Sequence, residues 1–299
     1  MHALALNRTP GYNFAGNFLE LHCRRSDRGG VVFDVEPGPH CVDTDGKMNL
    51  GAVTFLADMA LAAASRMFVD PSARTATLLL SIDFTGVEAR GRLTAKARSD
   101  GFSSRTALPQ ANCVGNICTV HGEIARMSGT WVKPPAPGGR ALDPLPWERK
   151  EPVAVPMLSP ADLDPFENSV MHRVEQALRN THHGSFLRNL WGPKVRHIPS
   201  GAASRFTPGL HVGNRVGHVQ GGLLLNLALV TAIGAAPHHP LLTAVSAWFI
   251  SPGQGKSLTS RATVLQKGRN VAVVRTEVFA AGRKLVLEVI SNHAIPAPV

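Results

Sequence analysis

The sequence predicts an α+β chain built from two similar halves, each with strands arranged around one apolar helix. Three observations carry that expectation. Two apolar stretches, Leu50–Arg66 and Gly221–Ala236, have the length of helices rather than strands. Runs with strand character flank both of them. A proline-rich stretch from Pro134 to Pro160 holds eight of the 22 prolines and divides the chain near its middle.

Taken in order, the first half predicts strands near Phe18–Cys23 and Val31–Val35, then the helix Leu50–Arg66. Strands follow near Thr77–Phe84, Leu93–Ala97 and Cys118–Trp131. The stretch Pro134–Pro160 reads as a linker crossing a surface, which sets two domains at residues 1–133 and 161–299. A helix over Ala161–Arg179 starts from Ser159 as its cap, with Pro160 in the first turn. Strands around Ala202–Leu210, the helix Gly221–Ala236 and a further run of strands complete the second half. Within that run, "VAVVRTEVFAAGRKLVLEVI" alternates on both sides of an "AGR" turn and predicts a hairpin.

Composition narrows the function classes. A chain of 299 residues is long for one compact domain and comfortable for two. No apolar run is long enough to span a bilayer, and the start "MHALALNRTPGYNF" lacks the pattern of a signal peptide. Cys23, Cys41, Cys113 and Cys118 form no CxxC pair, so they read as reduced thiols and the cytoplasm as the expected compartment. No His/Asp/Glu cluster suggests a metal. The net charge of +10 comes from scattered basic residues, and one tyrosine is a poor basis for stacking nucleic-acid bases. Neither nucleic acid nor a membrane is therefore expected as a partner. A polyanionic small molecule fits the charge, and so does a basic surface with no specific partner.

The repeat is testable residue by residue. "DTDGKMNLGAVTFLAD", Asp43–Asp58, lies without gaps under "NRVGHVQGGLLLNLAL", Asn214–Leu229. Gly46 then meets Gly217, Gly51 meets Gly222, Leu56 meets Leu227 and Ala57 meets Ala228. With a shorter loop after the second helix, "SIDF" (Ser81–Phe84) falls on "SAWF" (Ser246–Phe249), and Leu93–Thr94 on Leu258–Thr259.

The pattern N-x-x-G-x-x-x-G-G leading into L-A, with "LADMA" in the first helix, resembles the hotdog-fold acyl-CoA thioesterases, particularly the phenylacetate-degradation type. That resemblance covers most of both halves. It implies two fused hotdog domains, each a long helix wrapped by a curved antiparallel sheet, and no cofactor beyond the coenzyme A of the substrate. It also implies a site shared between paired hotdogs: Asn and Gly at one helix start, and the acid from the partner helix. In this chain the two halves complement each other. Asp58 holds the acid position and Leu229 replaces it in the second half. Asn214 and Gly221 hold the amide and glycine positions, where the first half has Asp43 and Leu50 beside Asn49. One complete composite site and one degraded site are expected, in a chain that could itself pair as a homodimer of double hotdogs.

The residues themselves support the same chemistry. Asp58 lies in a helix that is apolar all round, so it is expected to be buried, with a raised pKa suited to a general base. Its role as base or nucleophile stays open, and an acid tied to nearby amides or a cation is the structural alternative. The backbone amide at Gly221, with Gly222, suits an oxyanion, because glycine lets a substrate approach the helix start. Asn214 suits orientation of the carbonyl or water, or is a turn former. Gln220 stands where the family has His, which leaves its role open. Thr77 matches a family position that contacts the acid or water. Phe55, Met59, Trp248 and Phe249 are the candidate acyl lining, and Lys267 and Arg269 resemble a basic turn for coenzyme A phosphates, or form a plain solvated hairpin. A non-catalytic acyl-CoA binding protein and a hotdog hydratase or dehydratase are the other readings. The first is favoured by Gln220 and Asp43; the second lacks the usual acid/His pair at the helix start.

Overall fold

The computed structural model describes residues 1–297 apart from 136, 140 and 152. Ala136, Arg140 and Pro152 of the expected linker, and Pro298–Val299 of the expected second domain, lie outside the described residues. In the first half the order is α1 (His2–Asn7), α2 (Phe14–Phe18), β1 (His22–Asp27), β2 (Gly30–Val35), α3 (Leu50–Arg66), β3 (Ala76–Phe84), β4 (Leu93–Ser103), β5 (Gln110–Thr119) and β6 (Gly122–Val132). The second half repeats it as α4 (Pro165–Arg179), α5 (Phe186–Trp191), β7 (Lys194–Ile198), β8 (Gly201–Phe206), α6 (Gly221–Ala235), β9 (Leu241–Phe249), β10 (Leu258–Lys267), β11 (Val271–Phe279) and β12 (Leu285–Ala294).

Among the described residues the twelve strands form one antiparallel sheet, ordered β1-β2-β4-β5-β6-β3-β9-β12-β11-β10-β8-β7. Read from either edge, the sequence of strands is the same. The halves join where β3 pairs with β9, with Ser81 opposite Ser246 and their hydroxyls 3.4 Å apart. Leu80 faces Ala247 and Ile82 faces Val245 around that point, so the pseudo-twofold axis passes through the serine pair that the repeat alignment equates. This is two fused hotdog units, each a long helix against a curved antiparallel sheet.

Several elements differ from the sequence expectation. Phe18 ends the short helix α2 instead of starting a strand, because Asn13 caps that helix by accepting from the Gly16 amide at 2.8 Å. The run expected as one strand at Cys118–Trp131 is a hairpin, β5 and β6, turning at Val120–His121. β5 is rich in Asn and Gly, but it has a partner strand on each side, and that pairing outweighs its weak intrinsic preference. The cap of α4 is Asp164, whose carboxylate accepts from the Glu167 amide at 2.8 Å, with Pro165 in the first turn; Ser159 and Pro160 form a separate 3-10 turn. The proline-rich stretch is more than a surface linker. Leu145 is buried, Trp147 stands edge-on to Phe33 at 4.9 Å, and Glu148 grips the buried Arg66 at the end of α3 through both carboxylate oxygens, at 2.8 and 3.0 Å.

The two long helices lie side by side and antiparallel, since Gly222 of α6 meets Thr54 and Phe55 of α3 while Gly51 of α3 meets Asn226. A β-carbon on Gly222 would fall 2.2 Å from the Thr54 carbonyl oxygen and 2.6 Å from the Phe55 Cα, both rigid backbone. On Gly51 it would meet only the side chains of Asn49 and Asn226, at 3.0 and 3.2 Å. Gly222→Ala is therefore expected to cost about 1–3 kcal/mol by forcing the helices apart, and Gly51→Ala distinctly less. Urea denaturation of both variants checks the order; equal costs would show that the two contacts are equivalent.

Candidate active site between the two halves

The antiparallel helix pair decides what Asp58 meets. Two turns into α3, it faces the start of α6, and β3 brings Thr77 to its other side. The carboxylate is 5% exposed and has no ion-pair partner among the described residues. It accepts from the Thr77 hydroxyl at 3.0 Å through Oδ1 and from the Gln220 side-chain amide at 2.7 Å through Oδ2. Burial pushes its pKa up from 3.8 to about 6, against the downward pull of the Thr77 and Gly222 donors.

The first turn of α6 has four amides that the helix itself cannot satisfy. Gln220 caps it: its side-chain oxygen accepts from the Leu223 amide at 3.0 Å and its backbone oxygen from Leu224 at 2.9 Å. The Gly222 amide pulls the Asp58 pKa down, toward the anion. The Gly221 amide has no partner among the described residues, and Gly221 lines a cavity of about 340 Å³ together with Asp58, Thr77, Asn214 and Gln220. A β-carbon at Gly221 would fall 2.8 Å from an Asp58 carboxylate oxygen, so glycine here lets the acid lie against the helix start.

The loop before α6 is built by Asn214. Its side-chain oxygen accepts from the Val216 and His218 amides at 3.0 and 3.1 Å, and Gly217 turns with φ +79°. The first half has the same loop, with Asp43 in place of Asn214 and Gly46 at φ +77°. Asn214 is thus a turn former through its oxygen, while its amide nitrogen has no partner among the described residues and the residue lines the cavity.

Of the expected acyl contacts, Met59 and Phe249 line the cavity. Phe55 is fully buried in the core between the helices, and Trp248 is 44% exposed on the opposite side of β9 from the buried Ala247. Gly222 lies behind the cavity in the helix contact. Lys267 and Arg269 sit at the β10–β11 turn, outside the cavity lining. The cavity wall includes residues that the sequence reading missed. Trp131, Leu145 and Trp147 supply apolar surface, Arg74 a cation with no partner among the described residues, and Asn13 a buried amide. The signal for the strap was present: "LPWE" sets two large apolar side chains and an acid inside a proline-rich run. Asn13 and Ser185 also head matching segments, "NFAGNF" and "SFLRNL", each capping a short helix before its half's first strand. Among the described residues no group of three or more His, Cys, Asp or Glu could hold a metal, and no helix is long and apolar enough to cross a membrane.

Residues 211–293 match the family model of the acyl-CoA thioesterase N-terminal domain. Among solved structures, a Lactobacillus plantarum protein assigned by inference as an oleoyl thioesterase is 13% identical; the match covers 89% of this chain and 96% of that one, with a TM-score of 0.57. A hot dog fold protein of unknown function from Alicyclobacillus acidocaldarius is 11% identical over 93% and 97% of the two chains, TM-score 0.52. An acyl-CoA thioesterase II from Mycobacterium marinum is 15% identical over 95% and 98%, TM-score 0.50. No curated protein matches in sequence. At these identities the structural likeness carries the hotdog fold alone, and the domain match makes residues 211–293 similar to an acyl-CoA thioesterase domain. Neither finding singles out the phenylacetate-degradation type.

Asp58 also sets a pH dependence of stability. A carboxyl held at about 6 when folded and near 3.8 when unfolded binds its proton more tightly in the native state. Its contribution to stability therefore falls as pH rises from about 4 to about 6 and is constant above, a loss of about 3 kcal/mol. The stability of Asp58→Asn relative to the parent should rise over that window and level off. Denaturation curves at pH 4, 5, 6 and 7.5 measure it; parallel pH profiles would contradict the raised value.

Proposed function

We propose that the chain hydrolyses an acyl-CoA thioester at one composite site between its halves, residues 1–133 and 161–299. The carrying observation is the buried Asp58 carboxylate set against the Gly221 amide at the start of α6, which has no partner among the described residues. The thioester carbonyl oxygen would accept from the Gly221 N–H, where the helix dipole favours the developing negative charge. The Asn214 side-chain amide would orient the carbonyl or the attacking water. Thr77, Gln220 and Gly222 hold the carboxylate of Asp58 in place. As general base, Asp58 takes a proton from water, the hydroxide adds to the carbonyl, the C–S bond breaks and the thiolate leaves to be protonated. As nucleophile, it forms a mixed anhydride that water then cleaves. Arg74, a cavity cation with no partner among the described residues, is a candidate contact for the phosphates beside Lys267 and Arg269. Met59, Trp131, Leu145, Trp147 and Phe249 make an apolar or aromatic acyl group the suitable one.

A binding protein without turnover is the second reading, favoured by the Gln220 amide that occupies one oxygen of Asp58. Release of free thiol from a panel of acyl-CoA thioesters separates the two. Turnover should rise with pH through about 6 as Asp58 ionises. Asp58→Asn and Gly221→Ala should each lose on the order of a hundredfold in rate or more with the fold retained. Asn214→Asp, which keeps the loop acceptor and removes the donor, should lower kcat. Thiol release that is absent across the panel, or unchanged in Asp58→Asn, would remove the hydrolase reading. A non-hydrolysable thioester analogue should find one productive site per chain; two equivalent productive sites would contradict the complementation of the halves.

A further inference from the structure

The start of α3, where a second copy of the site belongs by symmetry, borders a wider cleft of about 1540 Å³. Leu50 stands there in place of Gly221, and the fully buried Leu229 in place of Asp58, so the acid is missing and a side chain stands where glycine left the helix start open. What replaces them is positive charge. Arg173 and Arg179 from α4, Arg188 from α5, Lys194 from β7 and Arg205 from β8 line one cleft. Among the described residues, the single carboxylate in that lining is Asp43. Its Oδ1 already accepts from the Asn49 amide at 2.7 Å and from the Ser185 hydroxyl. Among the described residues, Arg179 alone of the five cations meets an acid, the exposed Glu175 at 4.0 Å. Burial pulls Arg173 below its ordinary value, with no acid to offset it. A cleft walled by one sign of charge concentrates ions of the other sign.

A second observation is independent of charge. Asn226 of α6 lines the same cleft, is 3% exposed, and its Oδ1 is buried with no hydrogen-bond partner among the described residues. A buried acceptor without a donor is costly, so it is the kind of group that a ligand satisfies. The aligned position in α3 is Phe55, which makes this polar group particular to the degraded site. Phe206, Val230 and Ile233 add apolar surface that a bare inorganic ion does not use.

We propose that this cleft is a non-catalytic binding site for a phosphorylated organic anion of nucleotide size. Arg173, Arg188, Lys194 and Arg205 hold its phosphates, and a donor group of the ligand meets Asn226 Oδ1. A free nucleoside diphosphate and the nucleotide end of coenzyme A share that chemistry. No bond is made or broken there, and the site does not depend on thioester hydrolysis at Asp58.

Calorimetric titration of the full chain at low salt, with ADP, coenzyme A and inorganic phosphate as probes, tests the proposal. ADP or coenzyme A should bind, more weakly as salt is raised, and at least about tenfold more tightly than inorganic phosphate. The double variant Arg188→Glu/Lys194→Glu, whose side chains carry no fold-building contact, should weaken that binding about tenfold or more while keeping the parent's thermal transition. Asn226→Leu should weaken it with the charges intact. Asp58→Asn should leave ADP binding unchanged, which separates this site from the cavity at Gly221. Binding of both organic probes identifies the diphosphate as the recognised group, and binding of coenzyme A alone, lost on charge reversal, identifies the coenzyme. Absence of binding by ADP and coenzyme A, equal binding of inorganic phosphate, or indifference to the charge reversal would each overturn the proposal.

Discussion

The rest of this structure depends on how closely α3 and α6 approach. Glycine at 222 lets the backbone of one helix touch the backbone of the other, with no β-carbon between them. That contact sets the antiparallel overlap of the helices and therefore what each side chain faces across it. Asp58 comes to rest against Gly221 because the overlap puts the third turn of α3 opposite the start of α6. A wider spacing would leave the carboxylate without the Gly222 amide and the amide at Gly221 without an acid beside it.

Closeness also explains how an uncompensated charge survives there. Asp58 is buried with no ion-pair partner among the described residues, which disfavours the anion, and Thr77 from β3 and the Gly222 amide from α6 pull it part-way back toward ionisation. The result is a carboxyl that changes charge near neutrality instead of well below it. The sheet supplies the rigidity for this balance. Pairing of β3 with β9 about Ser81 and Ser246 ties Thr77 of one half and Phe249 of the other to a single frame.

The same symmetry leaves the second helix start free to change. With Leu229 and Leu50 at the positions of Asp58 and Gly221, that end keeps the loop and lacks the acid and the glycine. The helices that precede β7 then close in on it. Ser185 at the head of α5 bonds to Asp43, and α4 and α5 bring arginines to a cleft whose counterpart is built from Asn13, Trp131 and Trp147. The two ends of one pseudo-symmetric pair thus differ: a buried acid stands at one, and a row of cations around an amide at the other.

The amino-acid sequence by itself determined the repeat, the span of α3 at Leu50–Arg66, the start of α6 at Gly221, the β11–β12 hairpin and the burial of Asp58. These follow from local pattern, since an apolar run of helical length has no solvated face on which to place an acid. It also placed Ser81 on Ser246, the pair that the axis crosses. Only the tertiary structure decided which side chains reach the cavity. Phe55 and Trp248 read alike as apolar candidates, yet one faces the helix contact and the other the outer side of the sheet, because facing depends on packing and strand register. Lys267 and Arg269 read as a basic turn, but the far end of β10 lies outside the cavity wall. Leu145, Trp147 and Asn13 come from segments distant in sequence from Asp58, and their place beside it is set by a strap and a cap whose partners, Phe33, Arg66 and Gly16, no local pattern names.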